Sequence, residues 1–170
     1  MSIAIQPHKF RKYLVRSMAL TAALSVALII ASCNKSVLYE DVQHIDNASW
    51  KATDTLFYRF TIADSLQAYD FSFLVRNTTS YGYQNLYLFL TAWYPDGTWS
   101  RDTAECILAA PDGRWYGKGM GKIKESQFMF RKAVHFRRAG TFTIAVNQAM
   151  RTEELSGISD IGIRIAKSEK

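Results

Sequence analysis

The sequence predicts an all-β fold, an antiparallel β-sandwich with the jelly roll as one form of it, behind an N-terminal apolar leader. Three observations predict it. Apolar and polar residues alternate through segment after segment, which is the period of strands buried on one face. Pro-Asp-Gly occurs twice, at 95–97 and 111–113, each time directly after such a segment. There proline fixes φ and glycine accepts a positive one, the chemistry of a tight turn between antiparallel neighbours. Beyond the leader only residues 148–155 read as helix, and then for one turn or two.

The leader is residues 1–32. Lys9, Arg11, Lys12 and Arg16 precede an uncharged run that ends in Ile30-Ala31-Ser32-Cys33. A basic start, an apolar middle and small residues at the exit form a secretory signal peptide. The run over 17–32 is shorter than the ~20 residues a transmembrane helix needs. Cysteine directly after Ala-Ser resembles the lipobox of bacterial lipoproteins. That likeness implies cleavage before Cys33, a thioether-linked lipid on Cys33 and an acylated new amino terminus. Residues 33–36 are then a lipidated tether, and 37–170 a single sandwich domain.

Along that domain, residues 37–42 read as a first strand and 43–48 as a polar loop. Leu56, Tyr58, Phe60 and Ile62 alternate with Phe57, Arg59 and Thr61; Tyr69, Phe71, Phe73 and Val75 repeat the pattern after the turn at Ala63-Asp64-Ser65. Residues 86–94 are apolar on both faces, so that strand is either covered twice or exposes a ladder of Tyr87, Phe89 and Trp93. After the first Pro-Asp-Gly, residues 103–109 and 115–117 read as a second hairpin around the second one. Gly117, Gly119 and Gly121 suit a bulged connection. Phe128, Phe130 and Val134 mark the next strand, Phe142, Ile144 and Val146 another, and Ile161, Ile163 and Ile165 the last.

Charge and cysteine content narrow the functional classes. The chain has 21 Lys+Arg against 15 Asp+Glu. Four of those bases and no acid lie in 1–32, which leaves 17 against 15 once the leader is removed. The high pI of the whole chain is therefore no argument for a nucleic-acid partner. With Cys33 lipidated, Cys106 has no disulfide partner, and a lone cysteine in a strand is most often a small core residue.

No motif for a cofactor, metal or catalytic centre emerges. His8, His44 and His135 have no second ligand at metal spacing, and a Gly-x-Ser-x-Gly elbow is absent. Residues 117–122, rich in Gly and Lys, lack the spacing of a phosphate loop. Asp102 and Glu105 are three apart and face opposite sides of a regular strand, while a glycosidase needs two carboxyls converging on one bond. Asp96 and Asp112 read as turn formers. The aromatics are the open question: an exposed patch of Tyr81, Tyr83, Trp93 and Trp99 would mark a surface for a ligand or partner, a glycan among them.

An ordered set of segments resembles one family. Arg76-Asn77 with Tyr81-Gly82-Tyr83-Gln84-Asn85-Leu86 is similar to a segment of the gliding-motility lipoproteins of the GldH family. So are Asp102-Thr103-Ala104-Glu105, Gly113-Arg114-Trp115-Tyr116-Gly117, Gln148-Ala149-Met150-Arg151 and the ending at 155–162. The resemblance implies a non-catalytic envelope lipoprotein of Bacteroidota, needed for gliding and the linked type IX secretion machinery, with envelope proteins as partners. It also implies the outer membrane, and no acidic run follows Cys33, which favours the periplasmic leaflet over the cell surface. Members occur in non-gliding relatives, so motility of the host does not follow. In the same lineage, Asp-Ser/Thr-aliphatic triplets carry O-glycans, which makes Thr55, Ser65 and Thr103 candidate acceptors.

Overall fold

The computed structural model describes residues 37–169; the leader, Cys33 and the tether of the sequence reading lie outside the described residues. Ten strands follow in order: β1 (Val37–His44), β2 (Ser49–Lys51), β3 (Leu56–Ile62), β4 (Ala68–Thr78), β5 (Asn85–Trp93), β6 (Trp99–Ile107), β7 (Ile123–His135), β8 (Gly140–Gln148), β9 (Glu154–Ser156) and β10 (Ile158–Lys167). They form two four-stranded antiparallel sheets, β1-β10-β4-β7 and β3-β8-β5-β6, and a two-stranded ribbon, β2-β9. Leaving the ribbon aside, the chain crosses between the large sheets in the order of a jelly roll.

The core lies between the sheets and follows the alternation seen in the sequence. Tyr58, Phe60 and Ile62 of β3, Phe73 and Val75 of β4, Leu86, Leu88 and Leu90 of β5, and Ile161, Ile163 and Ile165 of β10 are all buried. Within this apolar layer the Tyr58 hydroxyl of one sheet donates to the Ile161 carbonyl of the other at 2.7 Å. Burial pushes that phenol far above its ordinary value, so it stays a donor.

The two Pro-Asp-Gly segments make the same turn. Gly97 N–H donates to Tyr94 O and Gly113 N–H to Ala110 O, at 3.0 and 2.8 Å. The glycines sit at φ +81° and +84°, and Asp96 and Asp112 each accept from the backbone N–H two residues on. This is the turn-plus-bulge closure of a short hairpin. Only the first turn joins two strands. The second closes on a single bridge, Ala109 to Trp115, so the expected strand at 115–117 does not form. The expected helical turn at 148–155 is instead a bend leading into β9. Buried Gln148 accounts for it: its side chain accepts from Met150 N–H and donates to Thr152 O, both at 2.8 Å, replacing helical backbone bonds.

β7 departs from the simple alternation. It spans 13 residues against 11 in its partner β4, and the register slips twice, around Phe71. The extra residues bulge the strand at 130–133. Ala133 sits at φ +53°, held by its N–H donating to Asp70 Oδ1 at 2.9 Å. An alanine in the left-handed region is strained and persists only where its surroundings fix it. Two insertions restore the phase, so Val134 and Phe136 return to the inner side.

Candidate functional site

The outer face of the β3-β8-β5-β6 sheet carries the aromatic ladder. β5 turns Leu86, Leu88 and Leu90 inward and leaves Tyr87, Phe89 and Trp93 exposed. Register places Trp93 beside Trp99 of β6 and Thr143 of β8, with Arg59 of β3 completing that row. In the next row outward-facing Phe57, Ala145, Thr91 and Arg101 lie side by side. Small side chains of β8 thus form a floor between Phe57 on one flank and Phe89, Trp93 and Trp99 on the other. Trp99 is 64% exposed and Trp93 39%. The Arg101 guanidinium rests 4.7 Å from the Phe89 ring centre.

The four aromatics named from the sequence do not form one patch. Trp93 and Trp99 pair at one end of β5, whereas Tyr83 lies in the loop before its other end. Tyr81 is buried, 4% exposed, and its hydroxyl donates to Asn85 O at 2.9 Å. It packs edge-on against Tyr83, whose ring remains exposed. Tyr81 therefore belongs to the core; the other three are at the surface, and of these only the tryptophans lie side by side. Alternation could not separate them, because Tyr81 precedes the strand and its direction is set by the loop.

Of the three Asp-Ser/Thr-aliphatic triplets, only Thr103 is exposed, on β6 opposite Phe89. Thr55 is half-buried, its Oγ1 accepting from Asn147 Nδ2 at 2.7 Å, and Ser65 is half-buried in the β3–β4 turn. Cys106 is buried, and burial pushes its thiol up to about 12, which suits an inert core residue. Asp102 and Glu105 do face opposite sides: Asp102 pairs with inward Leu90, Glu105 with outward Tyr87. Among the described residues no group of three His, Cys, Asp or Glu could hold a metal ion. Gly117 and Gly119 allow a close backbone approach to β7. A Cβ on Gly117 would stand 2.6 Å from Ser126 Oγ, and one on Gly119 2.6 Å from Ile123 O.

Sequence reasoning missed a cleft between the edges of the two sheets. On β6 the inward residues change along the strand: Ala104 and Cys106 are buried, Ser100 and Asp102 exposed. The sheets gape there, and a cleft of about 610 Å³ opens. Its apolar floor includes Phe60, Phe71, Leu90, Phe130, Phe142 and Ile144, and its rim Asp96, Arg131, His135, Arg137 and Arg138. Arg131, turned across by the β7 bulge, donates to Asp102 Oδ2 at 2.5 Å and ties the two sheet edges. Asp102 is held below the usual carboxylate range by the Thr103 N–H and then by Arg131. The only hint in the sequence was the broken alternation at Lys132.

Comparison with known proteins covers nearly all of the described sandwich. The family described as GldH lipoprotein matches residues 37–165. A gliding motility lipoprotein GldH homolog of Christiangramia forsetii is 32% identical over 84% of this chain and 91% of its own. The gliding motility lipoprotein GldH of Flavobacterium johnsoniae is 29% identical over 86% of this chain and 94% of its own. Among solved structures, AlgX of Pseudomonas aeruginosa superposes with a TM-score of 0.38 at 14% identity, over 81% of this chain and 27% of that one, too loose a likeness to carry an argument.

Proposed function

The chain belongs to the GldH lipoprotein family, and from that premise we propose a non-catalytic, lipid-anchored component of the cell envelope that serves gliding motility and the linked type IX secretion machinery. The carrying observation is the family match across 37–165, which spans nearly all of the residues that fold into the sandwich. In this reading residues 1–32 are removed and Cys33 bears the lipid. Three acyl chains, each worth ~0.8 kcal/mol per buried methylene, make attachment effectively permanent. The outer membrane is the site, periplasmic leaflet favoured, and the sandwich offers envelope proteins a rigid surface.

The test is complementation of a deletion strain with Cys33→Ala, together with crosslinked pull-down from membranes. The variant should fold and fail to complement, and the native protein should capture other envelope proteins of the machinery. Full complementation by the unlipidated form would remove the anchoring role.

The tryptophan pair favours a second reading, a glycan-binding lipoprotein. Two exposed indoles over a floor of small residues are a platform on which sugar rings stack. Glycan-array binding that disappears in Trp93→Ala and Trp99→Ala would support it. An O-glycan on Thr103 would sit beside this face, and intact-mass measurement of the native protein tests that.

A further inference from the structure

The cleft lies at a particular end of the sandwich. β1 starts there: Val37 pairs with Ala166, and Ala166 with Asp70, the residue that holds the β7 bulge. The β5–β6 turn, the β7–β8 loop and the β3–β4 turn, with Leu66 87% exposed, share this end. Four tether residues span at most about 14 Å. If Cys33 is lipidated, this end faces the bilayer. The inference below rests on that reading only for the nearness of lipid.

The chemistry of the cleft is that of an amphiphile site. Its walls are aromatic and aliphatic, and its volume lies within the ~300–1,000 Å³ typical of small-molecule pockets. Of the rim charges, Arg131 is paired with Asp102; the Asp96 carboxylate accepts from the Thr98 hydroxyl at 2.6 Å and is held below the usual carboxylate range by Thr98 first and further by the charge of Arg138. Arg137 and Arg138 are exposed and make no ion pair with any described residue. Two exposed guanidinium groups against the single Asp96 carboxylate leave the rim net positive beside an apolar hollow, which matches a single hydrocarbon chain with an anionic head. We propose that the cleft binds a free fatty acid, its chain among Phe60, Phe130 and Phe142 and its carboxylate at Arg137 and Arg138. A two-chain phospholipid would leave one chain outside.

The experiment uses the full-length lipidated protein in nanodiscs and a fatty acid carrying a terminal diazirine, with adducts mapped by mass spectrometry. Co-elution with the discs reports the anchor; adducts report the cleft. The expected result is labelling of cleft residues such as Phe130 and Phe142, displaced by oleate but not by dodecyl maltoside. Arg137→Glu with Arg138→Glu, both on the exposed loop, should weaken labelling about tenfold. A fatty-alcohol probe should label both proteins alike and weakly. Adducts confined to Leu66 and Trp99 would mean bilayer contact only and overturn the proposal. Stronger competition by lysophosphatidylglycerol than by oleate would overturn it in favour of a phospholipid. Labelling seen only in Cys33→Ala would assign the cleft to the protein's own lipid and also overturn it. If the protein leaves the discs yet labels in the cleft, the anchor reading fails and this one stands.

Discussion

At the end of the sandwich away from Val37, the ribbon of β2 and β9 closes the space between the sheets, with Trp50 and Leu155 each 1% exposed. The glycine loop at 117–121 lies against β7 there, bridging Lys118 to Glu125. At the Val37 end no described residue fills the space between β6 and β7 in the same way. One ion pair crosses the opening, and the aromatic floor is reached from outside. The same two sheets thus yield a sealed half and an open half, where a cleft reaches down to core residues such as Phe60 and Phe142. Small domains gain most of their stability from completed burial, so the sealed half has little freedom to vary.

This contrast can be tested by substitution, and the largest effect should fall at the sealed end. Trp50→Ala removes a fully buried indole that also donates to Asp54 O at 3.0 Å. It should cost about 3–5 kcal/mol, read as a lower midpoint in denaturant unfolding. A cost below about 1 kcal/mol would show that the ribbon is not part of the cooperative unit. Tyr58→Phe, in the shared middle, leaves the apolar packing and deletes the bond to Ile161 O; about 1–2 kcal/mol is expected. Both ends should feel it equally in hydrogen exchange.

Two smaller effects separate the halves of β6. In the native protein at pH 8, Cys106 should resist maleimide for hours, because its thiol is buried and pushed up to about 12. The unfolded chain should react within minutes. Fast native labelling would mean that the buried half of β6 opens readily. At the open half, Asp102→Asn should change global stability by no more than about 0.5 kcal/mol, because the pair is exposed. Its signature is local: faster exchange of β6 and β7 amides. Acid should act the same way. The Asp102 carboxyl titrates below its ordinary value, so its contribution is complete above ~4. It is lost as pH falls through the lower folded value, and β6–β7 exchange should rise there.

Much of the fold could be read from the residues, because half-buried strands write their period into the chain. Leu86, Leu88 and Leu90 against Tyr87, Phe89 and Trp93 pose the choice that the structure resolves as an exposed ladder. Short elements leave no such trace. β2 and β9 have three residues each, too few for a period, and a buried Gln148 decides the bend that precedes β9. The cleft was invisible for another reason. It depends on how far two sheet edges stand apart, and Ser100 and Asp102 read as ordinary polar positions until that spacing is known. Among the tyrosines, exposure turned on the path of a loop: Tyr81 goes in and Tyr83 out, two residues apart.

The two surplus residues of β7 have a consequence for life in a crowded compartment. β7 is the outer strand of its sheet, with a row of backbone groups that a straight strand would offer to any passing chain. The kink at 130–133 breaks that row, and Lys132 beside it adds a charge. Such an edge is a poor template for strand addition. Pairing of another chain along β7 is thereby disfavoured, and contacts with other proteins at this edge would run through side chains, where they can be selective.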